Sequence, residues 1–133
     1  MARLPHFLQP LLKGAAAGWI LAVAGRDRAL ATTIEPAFDS ATRNKGLLGR
    51  DGLPPGAALV IAPTNGIHTF GMRFPIDVVF AARDGRVLKI RPRLARRRIA
   101  LAWGGFAVIE MAAGEAERAG LERGDVLELR RDG

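Results

Sequence analysis

Ile76-Asp77-Val78-Val79-Phe80-Ala81-Ala82-Arg83-Asp84-Gly85-Arg86-Val87-Leu88-Lys89-Ile90 is the stretch that decides the fold class. Residues 76–80 and 87–90 are rich in β-branched and aromatic side chains, which suit a pleated, packed surface. Between them stands Asp84-Gly85, a pair that tolerates the positive φ angles of a tight hairpin turn. The stretch therefore predicts two antiparallel strands.

Similar runs recur on both sides. Upstream, Trp19-Ile20-Leu21-Ala22-Val23 reads as a strand, then a turn at Gly25-Arg26-Asp27-Arg28, then Ala29 to Ile34; Leu59-Val60-Ile61 is a further short strand. Downstream, Gly104-Gly105 introduces Phe106 to Met111, and Val126-Leu127-Glu128-Leu129 alternates apolar and charged residues. Two short helices fit between them. Asp39 can cap one that runs to about Leu48, with Gly49 to end it. Gly46 inside that helix costs roughly 1 kcal/mol against Ala, so it needs tertiary support. Glu115 to Ala119 forms the second, ended by Gly120. The expectation is a mainly β fold with two short helices, a compact antiparallel sandwich or partly closed barrel, in one domain over residues 18–133. Pro5 and Pro10 make residues 1–17 a loosely ordered lead-in.

Composition narrows the chemistry. The 133 residues include 20 basic and 13 acidic ones, for a net charge of +7. There is no Cys and no Tyr, and Ser40 is the only serine, which excludes disulfides, a cysteine-based zinc site and a Cys or Ser hydrolase elbow. No phosphate-cradling glycine loop is present. The basic excess is almost all arginine, as a GC-rich genome produces, although a positive surface also attracts nucleic acid, anionic lipid and acidic partners. Residues 14–24 are too short to span a bilayer. They read as a strand in a cytoplasmic protein; the alternative is an exported one in which residues 1–24 act as a signal peptide.

The candidate site lies just upstream of the hairpin. If residues 67–74 are extended, His68, Phe70, Met72 and Phe74 share one face, and Ile67, Thr69, Gly71 and Arg73 the other. An imidazole among oily neighbours tends to stay neutral. Asp77, alone in an apolar strand, is its natural partner, with Arg43 and Arg73 as counter-charges. The expected site is thus a cleft of Arg43, His68, Phe70, Met72, Arg73 and Asp77 that binds a small polar or anionic ligand or a protein partner. The alternative is a non-covalent acid/base enzyme in which Asp77 orients His68 as general base. The bland reading is a packed histidine and a structural ion pair. His68, Asp77, Glu110 and Asp125 are a poor set for zinc, and no metal or cofactor is expected. Arg91, Arg93, Arg96, Arg97 and Arg98, with Trp103 nearby, could track phosphates and stack on a base. A solvated loop or a charge-protected edge strand explains them more simply.

Several segments resemble a bacterial and archaeal family, domain of unknown function 192. They are Arg43-Asn44-Lys45-Gly46-Leu47-Leu48-Gly49-Arg50, Ile67 to Phe80, Asp84 to Val87, Val108 to Gly114 and Gly120 to Asp125, in that order. The resemblance covers roughly residues 18–130. It implies a small, mostly β fold and no established activity. Many of these relatives carry Cys where this chain has Thr64, so any thiol role is lost here. Residues 92–98 match the family's proline-tryptophan-arginine stretch only loosely.

Overall fold

A computed structural model describes residues 5–132. A five-stranded sheet runs through the middle of the molecule. Its strands are β3 (Thr33–Ala37), β4 (Ala57–Ile61), β6 (Ile76–Ala81), β7 (Val87–Leu94) and β9 (Ala107–Ala112), in the order β3-β4-β9-β6-β7. Two smaller sheets cover it. One is three-stranded, with β1 (Trp19–Val23) between β10 (Leu127–Arg131) and β2 (Ala29–Ala31); the other pairs β5 (Gly66–His68) with β8 (Ile99–Leu101). The helices are α1 (Ser40–Lys45) and α2 (Glu115–Arg118). The mainly β single domain is as expected, in several sheets with no closed barrel. One pair departs from the antiparallel rule: β3 runs parallel to β4, which the crossover through α1 permits.

The central sheet is buried on both faces, so its strands look almost uniformly apolar. The pleat nevertheless sorts them cleanly. Ala58, Val60, Val79, Ala81, Ile109 and Met111 join a core with Leu21, Val23, Leu30 and Leu127 of the three-stranded sheet. Leu59, Ile61, Val78, Phe80 and Val108 point the other way and pack with Leu47, Met72 and Ala100. These two layers place the candidate groups.

Local structure follows the sequence with small shifts. The β6–β7 hairpin forms, but of the Asp-Gly pair only Gly85 takes positive φ, +89°, and its N–H donates to Ala82 O, so the turn is longer than a two-residue one. The Asp39 carboxylate accepts from the Thr42 N–H at 2.7 Å and caps α1. Gly46 (φ +48°), not Gly49, ends that helix, because its amide closes onto Thr42 O and the chain then turns Leu47 into the core. The first four residues lie outside the described ones. In the rest of the expected lead-in, Gln9–Leu12 form a 3-10 turn and Leu8 and Leu11 are buried in the main core, so this stretch is packed rather than loose. Pro10 fits because the first turn of such a helix needs no amide there. Trp19–Val23 is the middle strand of its sheet. Among the described residues no helix is long and apolar enough to cross a membrane.

Candidate functional site

Residues 67–74 are not one strand. β5 stops at His68, Met72 N bonds to Thr69 O at 3.2 Å, and Gly71 takes φ +82°. The alternation expected there is therefore broken. The cause is Thr69, which is fully buried. Its Oγ1 donates to Ala95 O at 2.7 Å and accepts from the Arg98 N–H at 2.8 Å, so it ties the turn to the arginine-rich loop.

The six expected residues divide. Arg43, His68 and Met72 line one cleft; Asp77, Arg73 and Phe70 do not. His68 is exposed rather than seated in an apolar interior; the Phe70 ring lies beside it, 5.8 Å between centroids, and Ile99 pairs with it across β5–β8. Phe70 itself is half exposed. Arg73 reaches outward to Asp51 at 2.8 Å.

Asp77 is sealed in the interior at 0% exposure. Opposite it, β7 carries one residue too many: Ile76 pairs with Leu94 but Val78 with Arg91. Such a bulge frees a backbone amide. The Arg93 N–H, on a residue at φ +47°, donates to Asp77 Oδ1 at 2.8 Å. Asp77 Oδ2 accepts from Ala116 N at 2.8 Å. Gly114, which begins α2, has no side chain to cap it, so Asp77 supplies the missing acceptor from the neighbouring sheet. The carboxylate is architectural, and it lies on the wrong face of the sheet for His68.

Glu110 holds the place that the sequence assigns to Asp77. It pairs with Val78 across β9–β6, one step out of phase with Asp77, so its side chain faces the opposite layer. There it lines a cleft of about 400 Å³ with Arg43, Lys45, Thr64, His68 and Met72. Glu110 is 4% exposed, and burial pushes its carboxyl up to about 7, although the positive charge of Arg50 works against this. Its carboxyl makes no hydrogen bond to the described residues, and since none of their buried side-chain oxygens lacks a partner, its oxygens open onto the cleft. Arg50 is held away by its ion pair with Glu35 at 2.6 Å, which lowers the Glu35 carboxyl through that hydrogen bond. Arg43 shares the lining; its Nη1 donates to Phe38 O at 3.2 Å and it meets no carboxylate within ion-pair distance among the described residues. Thr64 Oγ1 donates to Gly66 O at 2.9 Å, so its hydroxyl is committed to the backbone of β5.

A larger hollow of about 460 Å³ lies across Arg43, lined by His6, Phe38, Pro63, Arg83 and Phe106. It contains no carboxylate, and Arg83 already lies over the Phe106 ring at 4.5 Å. The smaller cleft is chemically richer. The metal set weighed from the sequence comes apart: Asp77 and Glu110 lie on opposite faces, and Asp125 pairs with Arg26 at 3.1 Å. Among the described residues no three His, Asp or Glu side chains gather as a cation site.

Glu110 was legible only as one carboxylate inside the apolar run Val108 to Met111. Its period-two position opposite Val78 would have flagged it once the pairing was known.

The family model for domain of unknown function 192, described as "Uncharacterized ACR", matches residues 21–129. Two solved structures are similar. One is a protein of unknown function from Novosphingobium aromaticivorans, 26% identical over 82% of this chain and 83% of that one, with a TM-score of 0.72. The other is a "putative transcription regulator" from Sinorhizobium meliloti, 27% identical over 83% of this chain and 90% of that one, with a TM-score of 0.73. No curated protein matches the chain.

Proposed function

Because the chain belongs to the family of domain of unknown function 192, whose description carries no activity, we propose a function from the cleft itself: it binds a small anionic ligand. The observation that carries this reading is Glu110, which lines the cleft with Arg43 and Lys45, has no hydrogen-bond partner among the described residues, and whose carboxyl burial raises to about 7. A neutral carboxyl donates a hydrogen bond and does not repel an anion. Arg43 offers the planar fork that matches a carboxylate or phosphate. Leu47, Ile61 and Met72 give the cleft an apolar wall for the rest of the molecule.

The reading predicts proton-linked binding. An anion seated beside Glu110 disfavours its charged form, so binding takes up a proton near neutral pH and weakens as pH rises through 7. Benzoate and phenyl phosphate are suitable probes, since each joins an anionic head to a flat apolar body. Calorimetry in two buffers of different ionisation enthalpy measures the proton count. Glu110→Gln should abolish the proton uptake, and Arg43→Gln should weaken binding. If neither anion binds, or Arg43→Gln leaves affinity unchanged, the reading fails.

The same geometry favours a second reading, acid/base catalysis, for one reason. A carboxyl that titrates near 7 is matched to proton transfer at neutral pH. In that case Glu110, not Asp77, is the partner of His68 across the cleft. A rate that follows the ionisation of Glu110 and is lost in Glu110→Gln on any substrate would favour it over simple binding.

A further inference from the structure

From residue 86 to residue 109 the sequence holds seven basic residues and no acidic one. The structure brings most of this charge beside an exposed apolar stripe. In the β5–β8 pair, Ile67 and Ala100 face inward, and His68 and Ile99 stand opposite each other on the outer side. Ile99 and Leu101 are each 62% exposed, and Trp103 follows at the same two-residue spacing with 98% of its surface in solvent. Phe70, half exposed, borders them through the His68 ring.

The basic side chains surround this stripe. Lys89 and Arg91 share one face of β7, and the Lys89 ammonium donates to Leu101 O at 2.8 Å. Arg96, Arg97 and Arg98 form the loop that enters β8. The Arg98 guanidinium meets only the carbonyls of Arg96 and Arg97, and among the described residues none of Arg91, Arg96, Arg97 and Arg98 pairs with a carboxylate. The loop is not slack. Thr69 bonds it at Ala95 O, Arg97 N and both backbone groups of Arg98.

We propose that this surface docks the protein on an anionic lipid bilayer, with Trp103, Leu101 and Ile99 entering the headgroup region and Arg91, Arg96, Arg97 and Arg98 on the lipid phosphates. The chemistry selects that occupant. Tryptophan on a protruding turn suits the membrane–water interface, and each basic group near an anionic leaflet adds attraction. A second copy of the chain would set the same uncompensated charges against each other. Nucleic acid would use the arginines and Trp103 but leaves Ile99 and Leu101 without a role.

The test is co-sedimentation of the full chain with vesicles of phosphatidylcholine and phosphatidylglycerol, against phosphatidylcholine alone, at low and physiological salt. Wild type should partition to the mixed vesicles, more strongly at low salt, with a blue shift of tryptophan emission. Trp103→Phe should remove that shift, since Trp19 lies under the Arg131 guanidinium, 4.1 Å from its ring centroid. The triple change Arg96→Gln, Arg97→Asn, Arg98→Gln should weaken partition on the order of a hundredfold. Asn suits position 97, where φ is +61°. Circular dichroism confirms that each variant is folded. No partition to the mixed vesicles, equal partition of the triple variant, or displacement of the vesicles by a single-stranded oligonucleotide that quenches Trp103 would each overturn the proposal.

Discussion

Replacing Glu110 by Gln removes one titration and almost nothing else, because Gln has the shape of a neutral carboxyl. In the folded protein burial holds this group at about 7, against an ordinary value of 4.5. The folded state therefore keeps a proton that the unfolded chain has already released. Stability falls as pH rises from 4.5 through 7 and levels off above, since beyond that both states are ionised. At about 1.36 kcal/mol per pH unit, the move from 4.5 to about 7 corresponds to about 3 kcal/mol. Glu110→Gln should match wild type near pH 4 and exceed it by about 3 kcal/mol near pH 8. For a domain of this size that is a melting difference of roughly 10 °C. Urea titrations of both proteins across this range measure it. The carboxyls lowered by their partners, Glu35 with Arg50 and Asp39 with Thr42, lose stability on the acid side, but they do so in both proteins and cancel in the difference. Two stability curves that run parallel from acid to alkaline pH would show that Glu110 is not held protonated, and the cleft would lose its defining group.

Asp77→Ala strips the Arg93 and Ala116 amides of their only side-chain acceptor and should destabilise the fold by about 3 kcal/mol in urea. Below its melting point the variant should still bind benzoate as wild type does, because Asp77 faces the other layer; loss of binding in folded protein would contradict that placement. Thr69→Val keeps the shape but loses the hydroxyl's bonds to Ala95 and Arg98, at a cost of about 2 kcal/mol. The same change should speed hydrogen exchange at the Arg98 amide while leaving the central strands protected.

Local chemistry alone determined much of this protein. The Asp84-Gly85 turn, the cap at Asp39, the strands at 19–23, 76–80 and 106–111 and the acid-free basic run were all readable, because each depends on neighbours within a few residues. β5 and β8 were not, since three-residue strands carry too little pattern and exist only because each pairs with the other. The site was half legible: Arg43, His68 and Met72 converge, but on Glu110 and not on Asp77. A strand covered on both sides has no polar face to reveal its phase, so nothing in Ile76 to Phe80 says where Asp77 points. That was decided when one layer brought α2 and a bulge to one side of the sheet, the other layer brought His68 and Arg43 to the opposite side, and the two-residue period of the pleat sent the two carboxylates apart.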